Sequence, residues 1–152
     1  MLQGGDGNDL LIGSSGHDVL LGDAGNDFLF AGSGRDLVVG GSGSDILIAG
    51  NDEDIVIAGD IALSNLSTGL TDIRKEWTSA RTFVDRVQNL RGDMVGTRDN
   101  GNTLLLVAQA VLDDNDHDWL WGGSTNDWFF ADDIEDELPD QWFNDAVDYL
   151  GN

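Results

Sequence analysis

The chain has 152 residues, a length that suits one domain, and 40% of them are hydrophobic, enough for a real core. A net charge of −22 argues against nucleic acid, whose phosphates it would repel, and calls for a cationic partner or bound metal ions. The absence of cysteine excludes disulfide staples and thiolate metal sites.

No apolar run approaches 18 residues, so no membrane span is expected. Residues 1–20 carry no basic stretch followed by an apolar core, so no cleavable signal peptide is expected either. From Gly4 the sequence repeats every nine residues. GGDGNDLLI is followed by GSSGHDVLL, GDAGNDFLF, AGSGRDLVV, GGSGSDILI and AGNDEDIVI without insertions. Asp recurs at 9, 18, 27, 36, 45 and 54. Gly recurs at 7, 16, 25, 34 and 43, where Asp52 alone breaks the series. Three apolar residues follow every one of these Asp. In a short strand alternate side chains share a face, so the eighth position (Leu11, Leu20, Leu29, Val38, Leu47 and Val56) is expected to point inward. The seventh and ninth positions, such as Leu10 and Ile12 or Phe28 and Phe30, then face outward, and their apolar surfaces need a cover.

These units match the pattern G-G-x-G-x-D-x-U-x of RTX proteins, and the chain resembles the hemolysin-type calcium-binding family over residues 4–59 and again over 113–131. The chemistry agrees: calcium takes six to eight oxygens from carboxylates and carbonyls, and glycine lets a backbone turn tightly around an ion. The resemblance implies that two nonamers form one turn of a right-handed parallel β-roll, with ions between stacked loops on each edge. Asp9, Asp27 and Asp45 would line one edge, and Asp18, Asp36 and Asp54 the other. Carbonyls of glycines such as Gly5, Gly7, Gly16, Gly25, Gly34 and Gly43 would complete the shells. Six to eight Asp-bearing loops suggest about four to six Ca2+ ions, since end loops lack a stacked partner, and the resemblance implies export by a type I system, hence a secreted or cell-surface location.

After Asp60 the repeat stops. Leu70, Ile73, Trp77, Ala80, Phe83, Val84, Val87 and Leu90 follow at helical spacing, with Thr68 or Thr71 as a start cap and Gly92 at the end. This helix holds Arg74, Lys75, Arg81, Arg86 and Arg91, five of the seven basic residues. It is expected to lay its apolar face on an outer sheet and its charges near the acidic loops. Residues 93–102 read as loop, and Thr103–Leu112 as a strand, which periodicity does not separate from a short helix. The nonamer then returns as DDNDHDWLW and GGSTNDWFF, adding Asp118 and Asp127, with Leu120 and Phe129 inward. The first of these lacks paired glycines, so weak calcium binding is expected there. LPDQWFNDAVDYL fits a capping helix with Trp142, Phe143, Ala146, Val147 and Leu150 inward, covering the open end of the roll.

The expected organisation is one domain over 1–152: roll repeats at 4–60, helical insert and loop at 61–102, strand and resumed repeats at 103–131, and a C-terminal cap at 132–152. The fold class is mainly β, a β-solenoid with an amphipathic helical insert and a short capping helix. Asp114, Asp116 and Asp118 imitate an EF-hand start, but Trp119 stands where Gly is required and Thr125 where Glu is. Ser15, His17 and Asp18 have the residue types of a triad without a nucleophile elbow, and both histidines fall at the variable fifth position of a nonamer. The reading is therefore a non-enzymatic, calcium-binding module that folds on binding the ion. The alternative is an adhesion or assembly module, docking on a protein partner or a second copy through the outer faces.

Overall fold

The computed structural model describes residues 1–62, 66–92, 111–132, 136–140 and 145–150. Each nonamer supplies one loop and one strand, and successive strands alternate between two parallel sheets. β1 (Leu2–Asp6), β3 (Val19–Ala24), β5 (Leu37–Ser42), β7 (Ile55–Ile57), β11 (Trp128–Asp132) and β12 (Ala146–Leu150) form a six-stranded sheet in that order. β2 (Leu10–Ser15), β4 (Phe28–Ser33), β6 (Ile46–Asn51) and β10 (Trp119–Ser124) form a four-stranded one. Strand partners stand two nonamers apart, as in Leu10↔Phe28 and Val19↔Leu37.

The eighth positions fill the space between the sheets. Leu11, Leu20, Leu29, Val38, Leu47, Val56, Leu120 and Phe129 form one buried cluster, closed by small residues such as Ala31, Ala49 and Ala131. A slip of one residue would turn every strand inside out, yet the roll survives a long excursion. Ile46 pairs with Trp119 and Ile55 with Trp128, so the chain leaves after β7 and returns at β10 in register. The neck of the excursion is a short antiparallel pair, β8 (Asp60–Ile61) with β9 (Val111–Leu112). A Cβ on Gly59 would collide there with the Leu112 carbonyl oxygen.

The insert contains two helices where the spacing predicts one: α1 (Leu66–Trp77) and α2 (Phe83–Arg91). The break has a local cause. Thr82 is extended, and its hydroxyl accepts from Asp85 N at 3.2 Å while donating to the Asp85 carboxylate at 2.8 Å, which starts a new helix. Thr68 and Thr71 lie inside α1 and do not cap it. Gly92 ends α2 as expected, left-handed at φ 92° and donating to the Gln88 carbonyl. Leu70, Ile73, Trp77, Val87 and Leu90 pack on the outer face of the six-stranded sheet, over Val19, Leu21, Leu37, Val39, Ile55, Ile57, Trp128 and Phe130.

Over Ala146–Leu150 the chain forms a strand where the sequence predicts a helix. Ala146–Leu150 is the strand β12, parallel to β11 with Phe129↔Val147. The nonamer register explains it: Val147 falls at an eighth position and packs into the roll interior, while Ala146 packs against the helix-covered core. Arg91 clamps Asp148 of this strand through two bonds of 2.8 Å, and Trp128 Nε1 donates to the same carboxylate at 2.9 Å. Residues 93–110, with most of the strand expected at Thr103–Leu112, lie outside the described residues, as do Trp142 and Phe143.

Candidate metal centre

The repeat Asp form two continuous ladders, one per edge. On the first edge Asp9 N donates to Asp27 Oδ1, Asp27 N to Asp45 Oδ1 and Asp45 N to Asp118 Oδ1, each at 2.7 Å. On the second, Asp18 N donates to Asp36 Oδ1 at 2.7 Å, Asp36 N to Asp54 Oδ1 at 2.8 Å and Asp54 N to Asp127 Oδ1 at 2.9 Å. The two groupings match those expected from the sequence. Each ladder also continues one rung further, Asp118 N to Asp136 Oδ1 at 3.1 Å and Asp127 N to Asp145 Oδ1 at 3.0 Å. Asp136 and Asp145 had a signal, since they keep the nine-residue spacing with Leu138 and Val147 two places on. Missing glycines and Pro139 hid it.

One oxygen of each carboxylate is thus used. The other, Oδ2 of Asp9, Asp18, Asp27, Asp36, Asp45, Asp54, Asp118 and Asp127, is buried without a hydrogen-bond partner. An unpaired buried carboxylate oxygen is costly, and eight in register require an explanation. The electrostatics point the same way. Burial, reinforced by neighbouring carboxylates and partly offset by the ladder bond, pushes Asp54 up to about 10, Asp118 to about 9, Asp127 to about 8, Asp45 to about 7 and Asp36 to about 6. Asp27 is raised for the same first reason.

The loops turn through the left-handed region at their second and fourth positions. Gly5 (φ 99°) and Gly7 (φ 112°) show the pattern, and Gly16, Gly25, Gly34 and Gly43 repeat the fourth position at 107° to 133°. The resumed loop 113–118 lacks glycine and uses a side chain instead. Gly7 N and Gly25 N donate to backbone carbonyls of Ala24 and Ser42, whereas Gly43 N donates to Asp114 Oδ2 at 2.8 Å. Among the described residues no three His, Asp or Glu side chains converge on one point. An ion here would therefore rest on carboxylates of successive loops plus backbone oxygens, an all-oxygen donor set that suits a hard cation such as calcium.

A family model described as RTX calcium-binding nonapeptide repeat, in 4 copies, matches residues 3–38, 30–60 and 112–133, more than half of the chain. The chain belongs to the RTX calcium-binding nonapeptide repeat family. RTX repeats bind calcium, and the family is a structural calcium-binding module typically found in secreted proteins. No curated protein and no solved structure matches the chain. No helix among the described residues is long and apolar enough to cross a membrane.

The two RTX edges differ in what touches them. On the second edge the fifth-position residues hold the insert: Arg74 donates to the His17 carbonyl at 3.2 Å, Arg35 to the Ser79 carbonyl at 2.9 Å and Trp77 Nε1 to the Glu53 carbonyl at 2.8 Å. Glu53 also pairs with Arg35 at 2.8 Å and with the fully buried Arg86 at 2.7 Å. His17 is exposed, as expected, but its Nδ1 accepts from Arg35 N at 2.9 Å.

Proposed function

We propose that this chain is a calcium-driven folding module of a secreted or cell-surface protein exported by a type I system. The single observation that carries this reading is the row of eight buried, unpartnered Asp Oδ2 atoms. Asp9, Asp27, Asp45 and Asp118 would supply carboxylates on the first edge, and Asp18, Asp36, Asp54 and Asp127 on the second. Loop carbonyls beside Gly5, Gly7, Gly16, Gly25, Gly34 and Gly43 would add neutral oxygens. Calcium, when bound, supplies the positive charge that these oxygens lack.

Without the ion, stacked carboxylates repel and the Gly-rich loops lose too much backbone entropy on ordering. With it, binding energy becomes folding energy. At calcium ten times Kd each site contributes about 1.4 kcal/mol, so about five ions contribute about 7 kcal/mol, the size of a whole domain's stability. Extracellular calcium modules bind at about 10⁻⁴–10⁻³ M, which keeps such a chain unfolded in a low-calcium cytosol and folds it outside. Circular dichroism during a calcium titration tests this. The expected result is a cooperative gain of β signal; a full apo signal with a calcium-independent melting temperature would overturn it.

One observation favours a second reading, docking on a partner. The outer face of the four-stranded sheet is apolar and not covered by any other described element, with Leu10 at 67% and Ile12 at 54% exposure.

A further inference from the structure

The two outer faces of the roll use the same repeat positions and meet opposite fates. On β3, β5, β7 and β11 of the six-stranded sheet these residues are at most 4% exposed, because α1 and α2 lie on them. On the four-stranded sheet Leu10, Ile12, Phe28, Phe30, Ile46 and Trp119 remain exposed. They stand in two straight rows along the register Leu10↔Phe28↔Ile46↔Trp119 and Ile12↔Phe30↔Ile48. Trp119 and Trp121 end the rows as a stacked pair, 5.8 Å apart and 16° from parallel.

The molecule itself shows what such a face accepts. Four strands at about 4.8 Å spacing span roughly 14 Å, the length of about ten helical residues. The helices on the opposite face have 12 and 9 residues. Those helices meet the sheet through an apolar centre, and their basic flank reaches the loops, through Arg74 to the His17 carbonyl and Arg86 to Glu53.

Charge then chooses the occupant. β2, β4, β6, β10 and the first-edge loops leading into them contain no Lys or Arg, and those loops carry Asp6, Asp23, Asp113 and Asp116 outside the ladders; on the second edge Arg35 is paired with Glu53. A second copy would bring acid against acid, and an anionic membrane would be repelled in the same way. We infer that the outer face of the four-stranded sheet docks an amphipathic helix of a partner protein, one with an apolar stripe bordered by Lys and Arg. The inference deepens the docking reading and requires the calcium-loaded roll.

The test uses the full chain in calcium and two labelled synthetic peptides of about five helical turns with the same leucine stripe. One is bordered by lysine and arginine, the other by glutamate, and binding is read by fluorescence anisotropy. The variant Phe28→Ser with Phe30→Ser keeps the net charge and alters two exposed side chains, so its calcium-induced circular dichroism should match the parent's. The basic-bordered peptide should bind the parent and lose at least about ten-fold in affinity on the variant, while the glutamate-bordered peptide should not bind. Equal affinity for parent and variant would reduce the effect to adsorption by charge and overturn the inference. So would equal binding of the glutamate-bordered peptide, or a calcium-dependent dimer in sedimentation that the same variant abolishes. A calcium transition without peptide binding sinks the docking site alone; no calcium transition sinks the folding function first.

Discussion

The two loop edges are built from one repeat and bear different loads. On the first edge fifth-position residues bond along the stack, Asn26 N to Asn8 Oδ1 at 3.0 Å and Ser44 N to Asn26 Oδ1 at 3.3 Å. On the second, His17, Arg35 and Glu53 hold the helix pair. The fifth side chain takes no part in the Asp ladder, so it is free to carry chemistry that the ladder does not need. A solenoid repeat can thus keep its ion-binding half constant while one variable position sets whether an edge stays open or anchors an insert.

The largest expected effect concerns the carboxylates common to both edges. Their folded pKa values lie above the unfolded value near 3.8, so the folded apo chain binds protons that the unfolded chain releases. The stability this contributes is fully present below about pH 4 and is lost as pH rises through about 6 to 10. Holding Asp54 neutral at pH 7 costs about 4 kcal/mol, and Asp118 and Asp127 add comparable amounts, enough together to cancel a domain's stability. In chelator the β signal should be absent at pH 7.5 and appear as pH falls toward 4. With calcium the trend should reverse, because protons compete with the ion. Identical apo spectra at the two pH values would refute the electrostatic account for both edges at once.

Arg86→Met separates the edges. Arg86 is buried, its pKa is lowered by that burial and only partly held up by Glu53, and its guanidinium lies 5.0 Å over the Trp77 ring. Removing the charge from this pair is expected to cost about 3 kcal/mol in urea melts at saturating calcium. Hydrogen exchange should show protection falling at loops 31–36 and 49–54 while loops 22–27 and 40–45 keep theirs. Equal loss on both edges would mean that the insert does not act through the second edge. Asp27→Ala is the converse, with a smaller effect. It should weaken calcium binding on the first edge by about ten-fold, a few tenths to two kcal/mol being typical of one ligand's bond. Trp77 fluorescence should stay unchanged, since Trp77 bonds to Glu53 on the second edge.

Much of this edge architecture was legible from periodicity and the family resemblance it carries. The nine-residue spacing marks the Asp, the resemblance to the family sorts them onto two edges, and the eighth position places the interior from Leu11 to Phe129. What escaped depended on one local cap and on partners distant in sequence. The break at Thr82 follows from its own hydroxyl and Asp85, a short-range cap hidden inside an uninterrupted apolar stripe. The spacing of Trp142, Phe143, Ala146 and Val147 also fits a helix; pairing with β11 and the Arg91–Asp148 bridge decide for strand at Ala146–Leu150. The load on Glu53 was invisible because a fifth-position residue looks solvated until the chain returns with Trp77 and Arg86.

His17→Ala probes the weak end of the clamp. His17 is exposed, and its imidazole contributes one bond, accepted from Arg35 N; its bond to Arg74 uses the backbone carbonyl, which alanine keeps. Arg35 also retains Glu53 and the Ser79 carbonyl. Loss of a single solvent-exposed hydrogen bond is expected to cost about 0.5 kcal/mol, with calcium affinity within about two-fold of the parent on both edges. The comparison with Asp27→Ala is the informative one, because both residues lie in repeat loops and only the Asp carries a ladder carboxylate. If His17→Ala weakened calcium binding as much as Asp27→Ala does, the fifth position would be part of the ion site, and the division between a constant ladder and a variable anchor would fail.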